Sequence, residues 1–171
     1  MPGILLELSR IAEETGIRFK SISPQSALVI GAGTMGLLLQ QLILRAGASR
    51  VAVVDTNEGK LPLAEQMGAD AAATSTEDLG RFDVAVDATG AAPAIESAFD
   101  ALKRGGRLMV FGVAHGDAKV SLSPFRIYND EITVLAGWAG DEYGIPVEST
   151  DEALRLTGRL EGIILDPVYE G

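Results

Sequence analysis

The sequence contains no cysteine, and this absence excludes disulfide bonds and any metal site with thiolate ligands. It contains a single histidine, His115, in a glycine-containing stretch after a predicted strand. One histidine with scattered carboxylates does not supply the three protein ligands of a catalytic zinc. We therefore expect no metal site and no catalytic residue, and we interpret His115 as a loop residue that faces solvent.

Basic residues are also scarce: 14 Lys and Arg against 24 Asp and Glu give a net charge of −10. Such a chain has no electrostatic footprint for a phosphate backbone, so nucleic acid is not an expected partner. No apolar run approaches the roughly 18 residues that span a bilayer. No cationic segment precedes an apolar stretch at the N-terminus, as it would in a signal peptide. These absences predict a cytoplasmic protein with no membrane partner.

The most informative feature that is present is a group of glycines directly after the apolar residues 27–30. Gly31, Gly33 and Gly36 have the spacing Gly-x-Gly-x-x-Gly, and Asp55 ends the next apolar segment, 19 residues beyond Gly36. In a strand–turn–helix unit, the first glycine permits the turn, the second lets backbone approach a pyrophosphate, and the third allows close packing. The helix N-terminus favours phosphates, and the acid accepts hydrogen bonds from ribose hydroxyls. The pattern favours dinucleotide binding; a tight turn without a ligand is the alternative.

Apolar periodicity predicts alternating elements along the chain. Strands are predicted at 27–30, 51–54, 69–74, 82–87, 107–113 and 132–136, and helices at 35–46, 58–67, 91–102 and 124–129. Toward the ends we predict helices at 4–15 and 151–160 and short strands at 17–22 and 163–165. Short apolar strands separated by helices favour parallel pairing with right-handed crossovers. The prediction is an α/β fold with a doubly wound, mostly parallel sheet in the order 3-2-1-4-5-6 and helices on both faces.

Residues 25–137 resemble the cofactor-binding Rossmann domain of the medium-chain, often zinc-dependent, alcohol and polyol dehydrogenases. The resemblance rests on the glycine turn, on Asp55 with Lys60, and on the blocks 64–70, 82–90, 105–113 and 129–134, in the right order. It implies that NAD binds at the carboxyl ends of the strands, with Asp55 holding the adenosine ribose. A solvated helix lysine is an equal alternative to a ribose contact for Lys60. The implied cofactor-binding residues are Gly31, Gly33, Thr34, Met35, Gly36, Asp55, Thr56, Lys60, Ala88, Thr89, Gly90, Gly112 and Val113.

The charge at position 55 also bears on the choice of cofactor, independently of any family. An acid there would repel a 2′-phosphate, which favours NAD over NADP. The resemblance further implies that the segments after Ala88 and Gly112 flank the nicotinamide half of the cofactor.

The ends of the chain look different. Residues 140–171, and more weakly 1–22, are similar to the 1-aminocyclopropane-1-carboxylate deaminase and D-cysteine desulfhydrase family of pyridoxal-phosphate enzymes. That resemblance implies that Tyr143 and Tyr169 lie near a pyridoxal ring. The family's Schiff-base lysine motif has no counterpart here, so pyridoxal phosphate is not the expected cofactor. The lysines are Lys20, Lys60, Lys103 and Lys119.

Two resemblances on one chain suggest an engineered or recombined protein, and a natural dehydrogenase domain with divergent ends is the alternative. We expect residues 1–171 to form one dinucleotide-binding domain with its core at 25–137 and added segments at 1–24 and 138–171. The expected function is an NAD(H)-binding module that derives from an oxidoreductase, lacks the catalytic zinc domain and has no turnover of its own. The other interpretations are a structural chimera with an idle or weak site, and a pyridoxal-phosphate lyase fragment.

The predicted outer strand, 132–136, bears on assembly. It would present unpaired N–H and C=O groups beside apolar side chains, with little charge to deter pairing. In the dehydrogenases that the chain resembles, the corresponding edge pairs across a two-fold axis. We therefore expect a homodimer through this edge, although the predicted strand at 163–165 could instead cover it within one chain.

Overall fold

The computed structural model describes residues 25–136. The helices predicted at 4–15 and 151–160 and the strands predicted at 17–22 and 163–165 lie outside the described residues. Within the described range, no helix is both long and apolar enough to cross a membrane.

The described part of the chain contains six strands and four helices, which alternate except that the fourth strand follows the third directly. The strands are β1 (Ser26–Ile30), β2 (Arg50–Val54), β3 (Ala71–Ala73), β4 (Phe82–Asp87), β5 (Leu102–Val110) and β6 (Thr133–Ala136). The helices are α1 (Thr34–Arg45), α2 (Leu61–Gln66), α3 (Ala92–Asp100) and α4 (Pro124–Asn129), and a 3₁₀ turn at Glu58–Lys60 leads into α2. The strands form one sheet in the order β3-β2-β1-β4-β5-β6, with every neighbouring pair parallel. The predicted fold class and strand order are confirmed.

Two apolar clusters, one on each face of the sheet, make up the core. The first joins alternate residues of the central strands, such as Val29 and Val53, to the apolar stripe of α1 and to Ala64 of α2. The second joins the intervening strand residues, such as Leu28, to Phe99 and its neighbours on α3. Successive side chains of a strand point to opposite faces, so β1 and β2, which are apolar after their first residues Ser26 and Arg50, are buried on both faces.

The structure corrects the predicted boundary between α3 and β5. The helix ends at Asp100 and the strand begins at Leu102, five residues before the predicted start at 107. Leu102 pairs with Phe82, whose N–H donates to the carbonyl of Ala101 at 2.8 Å, so the chain enters the sheet directly after the helix. The two glycines that suggested a turn before the strand lie inside it, at a register irregularity where Gly105 has a φ of +69°. The strand also ends earlier than predicted, at Val110.

A small polar cluster closes the amino end of the sheet. The Asp83 carboxylate accepts hydrogen bonds from the Ser26 backbone N–H at 2.8 Å and the Ser26 hydroxyl at 2.7 Å. The Lys103 ammonium donates to the same carboxylate at 3.0 Å. Partial burial on its own raises the pKa of Asp83, but the hydrogen bonds from Ser26 and Lys103 and the charge of the lysine outweigh it and hold the pKa below its usual value. This cluster fastens β1, β4 and β5 together at the end opposite the glycine turn.

Candidate nucleotide-binding site

The candidate site lies at the carboxyl ends of the strands, where β1 passes into α1. Gly31 follows β1 with a φ of +108°, and its N–H donates to the carbonyl of Val54 at 2.7 Å. A Cβ on Gly31 would meet the Thr89 Cγ2 at 2.8 Å. Both the backbone conformation and the neighbouring turn therefore require glycine here.

Gly33 and Gly36 occupy very different surroundings. A Cβ on Gly36 would stand 1.7 Å from the carbonyl oxygen of Gly31, so the first turn of α1 rests directly on the end of β1. A Cβ on Gly33 would meet no atom of the described residues within 4 Å, and Gly33 has an ordinary extended backbone with a φ of −78°. The fold therefore requires glycine at 36, whereas at 33 glycine leaves an open space beside the helix N-terminus.

The first turn of α1 begins at this open space. Thr34 is exposed and Met35 is half-buried against the core. The N-cap residue, Gly33, makes no side-chain cap, and the first turn carries no acidic residue. Since the first N–H groups of a helix have no partner within the helix and carry its positive dipole end, this turn suits an anion.

Asp55 lies directly beside the glycine turn, just after β2. Its Oδ2 accepts the Ala32 N–H at 2.8 Å and the Lys60 ammonium at 3.1 Å, and its Oδ1 accepts the Asn57 N–H at 2.8 Å. The hydrogen bond to Ala32 fastens the acid to the glycine turn across a separation of 23 residues. Thr56 follows it in an exposed position.

The Asp55 carboxylate is held ionised. Partial burial on its own raises the pKa of Asp55, but the hydrogen bonds from two backbone N–H groups and from Lys60 outweigh it and lower the pKa below its usual value. A carboxylate offers about four acceptor positions, and the three donors named above use three of them. One position on Oδ1 therefore remains, and displacement of Lys60, whose side chain is 45% exposed, frees one more on Oδ2.

The turns after β4 and β5 pack against each other on the other side of Gly31. The Ala88 N–H donates to the carbonyl of Ile30 at 2.8 Å, which brings the β4 turn to the end of β1. A Cβ on Gly112 would stand 2.0 Å from the Gly90 nitrogen, and a Cβ on Gly90 would stand 2.2 Å from the Val113 carbonyl oxygen. The two glycines thus permit direct contact of the two turns, and the Val113 side chain remains largely exposed.

The structure therefore brings all thirteen predicted site residues to one edge of the sheet. It adds three residues that sequence reasoning did not select: Ala32 and Asn57, which donate to Asp55, and Asp87, which organises the β4 turn. For Asp87 a signal was present, because an aspartate followed by Thr and Gly two and three residues later is typical of side-chain-capped turns.

The described residues do not fit a zinc site. Residues 25–136 contain no group of three or more His, Cys, Asp or Glu side chains that could hold a metal ion. His115 lies on the surface, where its only described ion-pair partner is the Asp117 carboxylate.

Comparison with known proteins shows relatives among dehydrogenases. D-altritol 5-dehydrogenase of Agrobacterium fabrum is 35% identical over 127 residues, which are 72% of this chain and 38% of that protein. A candidate zinc-binding dehydrogenase of Clostridium scindens has a similar structure, with a TM-score of 0.69 and 28% identity over 92% of this chain and 45% of that chain. Another, from Sinorhizobium meliloti with NADP bound, has a TM-score of 0.68 and 27% identity over 80% of this chain and 42% of that chain. This chain thus spans less than half the length of these relatives.

A second similarity is to 1-aminocyclopropane-1-carboxylate deaminase of Bradyrhizobium diazoefficiens, which is 42% identical over 65 residues, 38% of this chain and 19% of that protein. The family model for zinc-binding dehydrogenases matches residues 34–157, beyond the boundary at 137 that the sequence suggested. Fewer than 65 residues lie outside that match, so the two similarities share part of the chain. The family match covers most of the sequence, and the chain belongs to the zinc-binding dehydrogenase family.

Proposed function

We propose that this chain binds a nicotinamide adenine dinucleotide and prefers NAD(H) to NADP(H). The observation that carries the proposal is the hydrogen bond from Ala32 to Asp55, which holds a ribose acceptor against the glycine turn. The open space at Gly33 lies at the same place, beside a helix N-terminus that suits a pyrophosphate. The proposed binding residues are Gly31, Gly33, Thr34, Met35, Gly36, Asp55, Thr56, Lys60, Ala88, Thr89, Gly90, Gly112 and Val113.

The Asp55 carboxylate supports the preference for NAD. Its remaining acceptor position on Oδ1 suits one ribose hydroxyl, and movement of Lys60 opens a second on Oδ2. Because the carboxylate is held ionised, it would repel the 2′-phosphate of NADP. The Sinorhizobium relative binds NADP, but the preference between the two cofactors depends on the charges within a few ångströms of the 2′ position. The two chains are 27% identical and therefore differ at most positions.

Titration with NADH and NADPH by calorimetry tests the proposal. We expect NADH to bind the full chain about tenfold or more tightly than NADPH. Asp55→Ala should lower the affinity for NADH and reduce the ratio of NADH to NADPH affinity, because it removes both the hydrogen-bond acceptor and the charge that repels the 2′-phosphate. Lys60→Ala should have the opposite effect and serves as the control. Loss of the ammonium leaves the negative charge of Asp55 without its ion-pair partner, so the preference for NADH over NADPH should increase. Equal affinities in the unaltered chain would contradict the assignment of NAD.

We further propose that this chain supplies the nucleotide-binding part of a dehydrogenase and does not oxidise an alcohol by itself. A bound nicotinamide would supply hydride transfer, but the residues present do not fit the zinc that activates an alcohol in such enzymes: there is no cysteine and one histidine. Incubation with NAD, a polyol and added zinc should therefore form no NADH above background. Turnover that disappears in a His115→Ala variant would overturn this proposal.

A second candidate function is binding of pyridoxal phosphate, which the 42% identity to the deaminase over 65 residues favours. The same identity supports the alternative of a recombined chain, in which the dehydrogenase site would be idle or weak. Against pyridoxal phosphate, the side chains of Lys60 and Lys103 are engaged in ion pairs with Asp55 and Asp83. A titration with pyridoxal phosphate, with borohydride trapping of any lysine adduct, separates the candidates. We expect no adduct, whereas a stoichiometric one would favour the lyase interpretation.

For assembly we propose a homodimer through the edge of the sheet at β6. Within residues 25–136, β6 has a strand neighbour on one side only. Apolar side chains lie exposed nearby, among them Phe125 at 74% and Tyr128 at 85% on α4, and Val134 on β6. An edge strand beside apolar surface favours pairing with a second copy. Sedimentation at micromolar concentration should show twice the mass of one chain, and a species of 17.9 kDa would refute the dimer.

A further inference from the structure

Asp87 is a buried carboxylate that the proposed binding site does not use directly. It is the last residue of β4, and its side chain is 0% exposed. The carboxylate accepts the Thr89 hydroxyl at 2.6 Å, the Thr89 N–H at 3.0 Å and the Gly90 N–H at 3.0 Å. These three donors are neutral and belong to the turn that directly follows the strand.

The same residue also holds the neighbouring turn through its backbone. The Asp87 carbonyl accepts the N–H groups of Phe111 and Gly112, both at 2.9 Å, where the chain leaves β5. One residue therefore fixes the exits of β4 and β5, the two segments that would flank the nicotinamide half of the cofactor.

The turn that Asp87 holds is in contact with both sides of the site. Thr89 packs so closely on Gly31 that a Cβ there would stand 2.8 Å from the Thr89 Cγ2. Gly90 and Gly112 meet backbone to backbone. A shift of this turn would therefore move the surface between the glycine turn and Val113, with little effect on the surroundings of Asp55 at the end of β2.

Burial of a carboxylate is unfavourable unless hydrogen bonds compensate it. A second aspartate on the same strand shows a different arrangement. Asp83 also accepts a hydroxyl and a backbone N–H, but its donors come from β1 and from Lys103, an ion-pair partner, and it lies at the opposite end of the sheet. Asp83 joins strands, whereas the Asp87 side chain holds only a turn at the site.

We propose that Asp87 is a positioning residue, whose carboxylate holds the 88–90 turn in the conformation that receives the nicotinamide half of the dinucleotide. The inference rests on the proposed function. In Asp87→Asn, the amide oxygen can keep the two Thr89 hydrogen bonds, but the amide nitrogen then faces the Gly90 N–H, which is also a donor. The turn loses its anchor at Gly90 while the volume of the side chain is unchanged.

The test compares NADH with ADP, which lacks the nicotinamide half, by calorimetry on the full chain. We expect Asp87→Asn to raise the Kd for NADH by about tenfold, the equivalent of one hydrogen bond to a charged group. The Kd for ADP should change by less than about twofold. Asp83→Asn is the matched control on the same strand: it should lower the melting temperature and leave the ratio of the two affinities unchanged.

Two variants of Thr89 test the same carboxylate if Asp87→Asn does not fold. Thr89→Val removes the hydroxyl donor and keeps the methyl group beside Gly31, whereas Thr89→Ser keeps the hydroxyl and removes the methyl. We expect Thr89→Val to weaken NADH binding relative to ADP binding by more than Thr89→Ser does, because only Thr89→Val loses the hydroxyl that donates to Asp87.

The outcomes distinguish this inference from the function on which it rests. If the unaltered chain binds neither NADH nor ADP, the proposed function is wrong. If it binds both, and the Asp87 and Thr89→Val variants lose both ligands equally or neither, then Asp87 only stabilises the fold and the inference is overturned. A changed ratio in Asp83→Asn would overturn it as well.

Discussion

Substitution of Gly33 separates ligand binding from folding, because the described residues 25–136 leave an open space at this position. Within residues 25–136, no atom lies within 4 Å of a Cβ on Gly33, and the backbone has a φ of −78° and a ψ of −176°, which any residue adopts. Replacement of glycine gains about 0.4–1 kcal/mol by restricting the unfolded chain. The weaker N-cap preference of the new side chain opposes this gain by a similar amount. We therefore expect Gly33→Val to change the free energy of unfolding by less than about 1 kcal/mol.

Binding should respond very differently. A valine at 33 would occupy the space that the pyrophosphate needs at the N-terminus of α1. We expect the affinity for NADH to fall by at least about a hundredfold, which corresponds to about 2.7 kcal/mol. Calorimetric titration with NADH, together with thermal denaturation of the same sample, measures both effects. Gly116→Val is a matched control, since a Cβ on Gly116 also meets none of the described residues within 4 Å and this glycine lies outside the proposed site.

Gly36→Ala, in contrast to Gly33→Val, should mainly lower the stability of the fold. Its Cβ would stand 1.7 Å from the Gly31 carbonyl oxygen, which is backbone and cannot turn aside. Overpacking of this kind costs about 1–3 kcal/mol, and we expect the upper end, offset by about 1 kcal/mol from the better helix propensity of alanine. Normal NADH binding by Gly33→Val would show that the glycine turn is only structural. A Gly36→Ala variant as stable as the original chain would refute the packing argument.

Two further predictions concern stability. The folded state holds the pKa of Asp83 below its ordinary value of 3.8, so the ionised Asp83 stabilises the fold above pH 3.8, and this stabilisation is lost as pH falls through the folded pKa. Thermal denaturation should therefore show a melting temperature that decreases below about pH 5. In Asp83→Asn the melting temperature should fall less steeply with pH. Gln40 is fully buried in α1, with its Nε2 donating to the Ala64 carbonyl at 2.8 Å and its Oε1 unpartnered among the described residues. Gln40→Leu removes both polar groups and should lower the free energy of unfolding, measured by urea denaturation, by less than about 1 kcal/mol. Gln40→Glu buries a charge and should lower it by about 3 kcal/mol or more. Equal losses in the two variants would contradict this account.

The sheet could be predicted from the sequence because its strands differ so clearly from their surroundings. After their first residues, β1 and β2 are continuous apolar segments, which are typical of strands in a parallel sheet covered on both faces. The start of β5 was not predictable in this way. The first half of this strand contains exposed residues that are typical of a loop, namely Lys103, Arg104 and Gly105. They belong to the strand because Leu102 pairs with Phe82.

The site divides in the same manner. The spacing of the glycines and the position of Asp55 follow from local chemistry, so sequence reasoning located them. The contacts that complete the site are not local: Ala32 meets Asp55 across 23 residues, and Gly90 meets Gly112 only because β4 and β5 are neighbours in the sheet. The spacing of the glycines also does not show that Gly33 borders an open space whereas Gly36 is required by close packing.

The surroundings of the three aspartates at the ends of β2 and β4 indicate what each residue can do. Asp87 is fully buried and its donors come from its own turn, so no ligand atom can reach it and its effect must be transmitted through that turn. Asp83 meets its donors at the far end of the sheet. Of these three, only Asp55 accepts a hydrogen bond from the glycine turn, and its side chain is still 10% exposed. Direct recognition of a ribose therefore falls to Asp55, and variants of the other two should alter either stability or the neighbouring turn, but not the preference between NADH and NADPH.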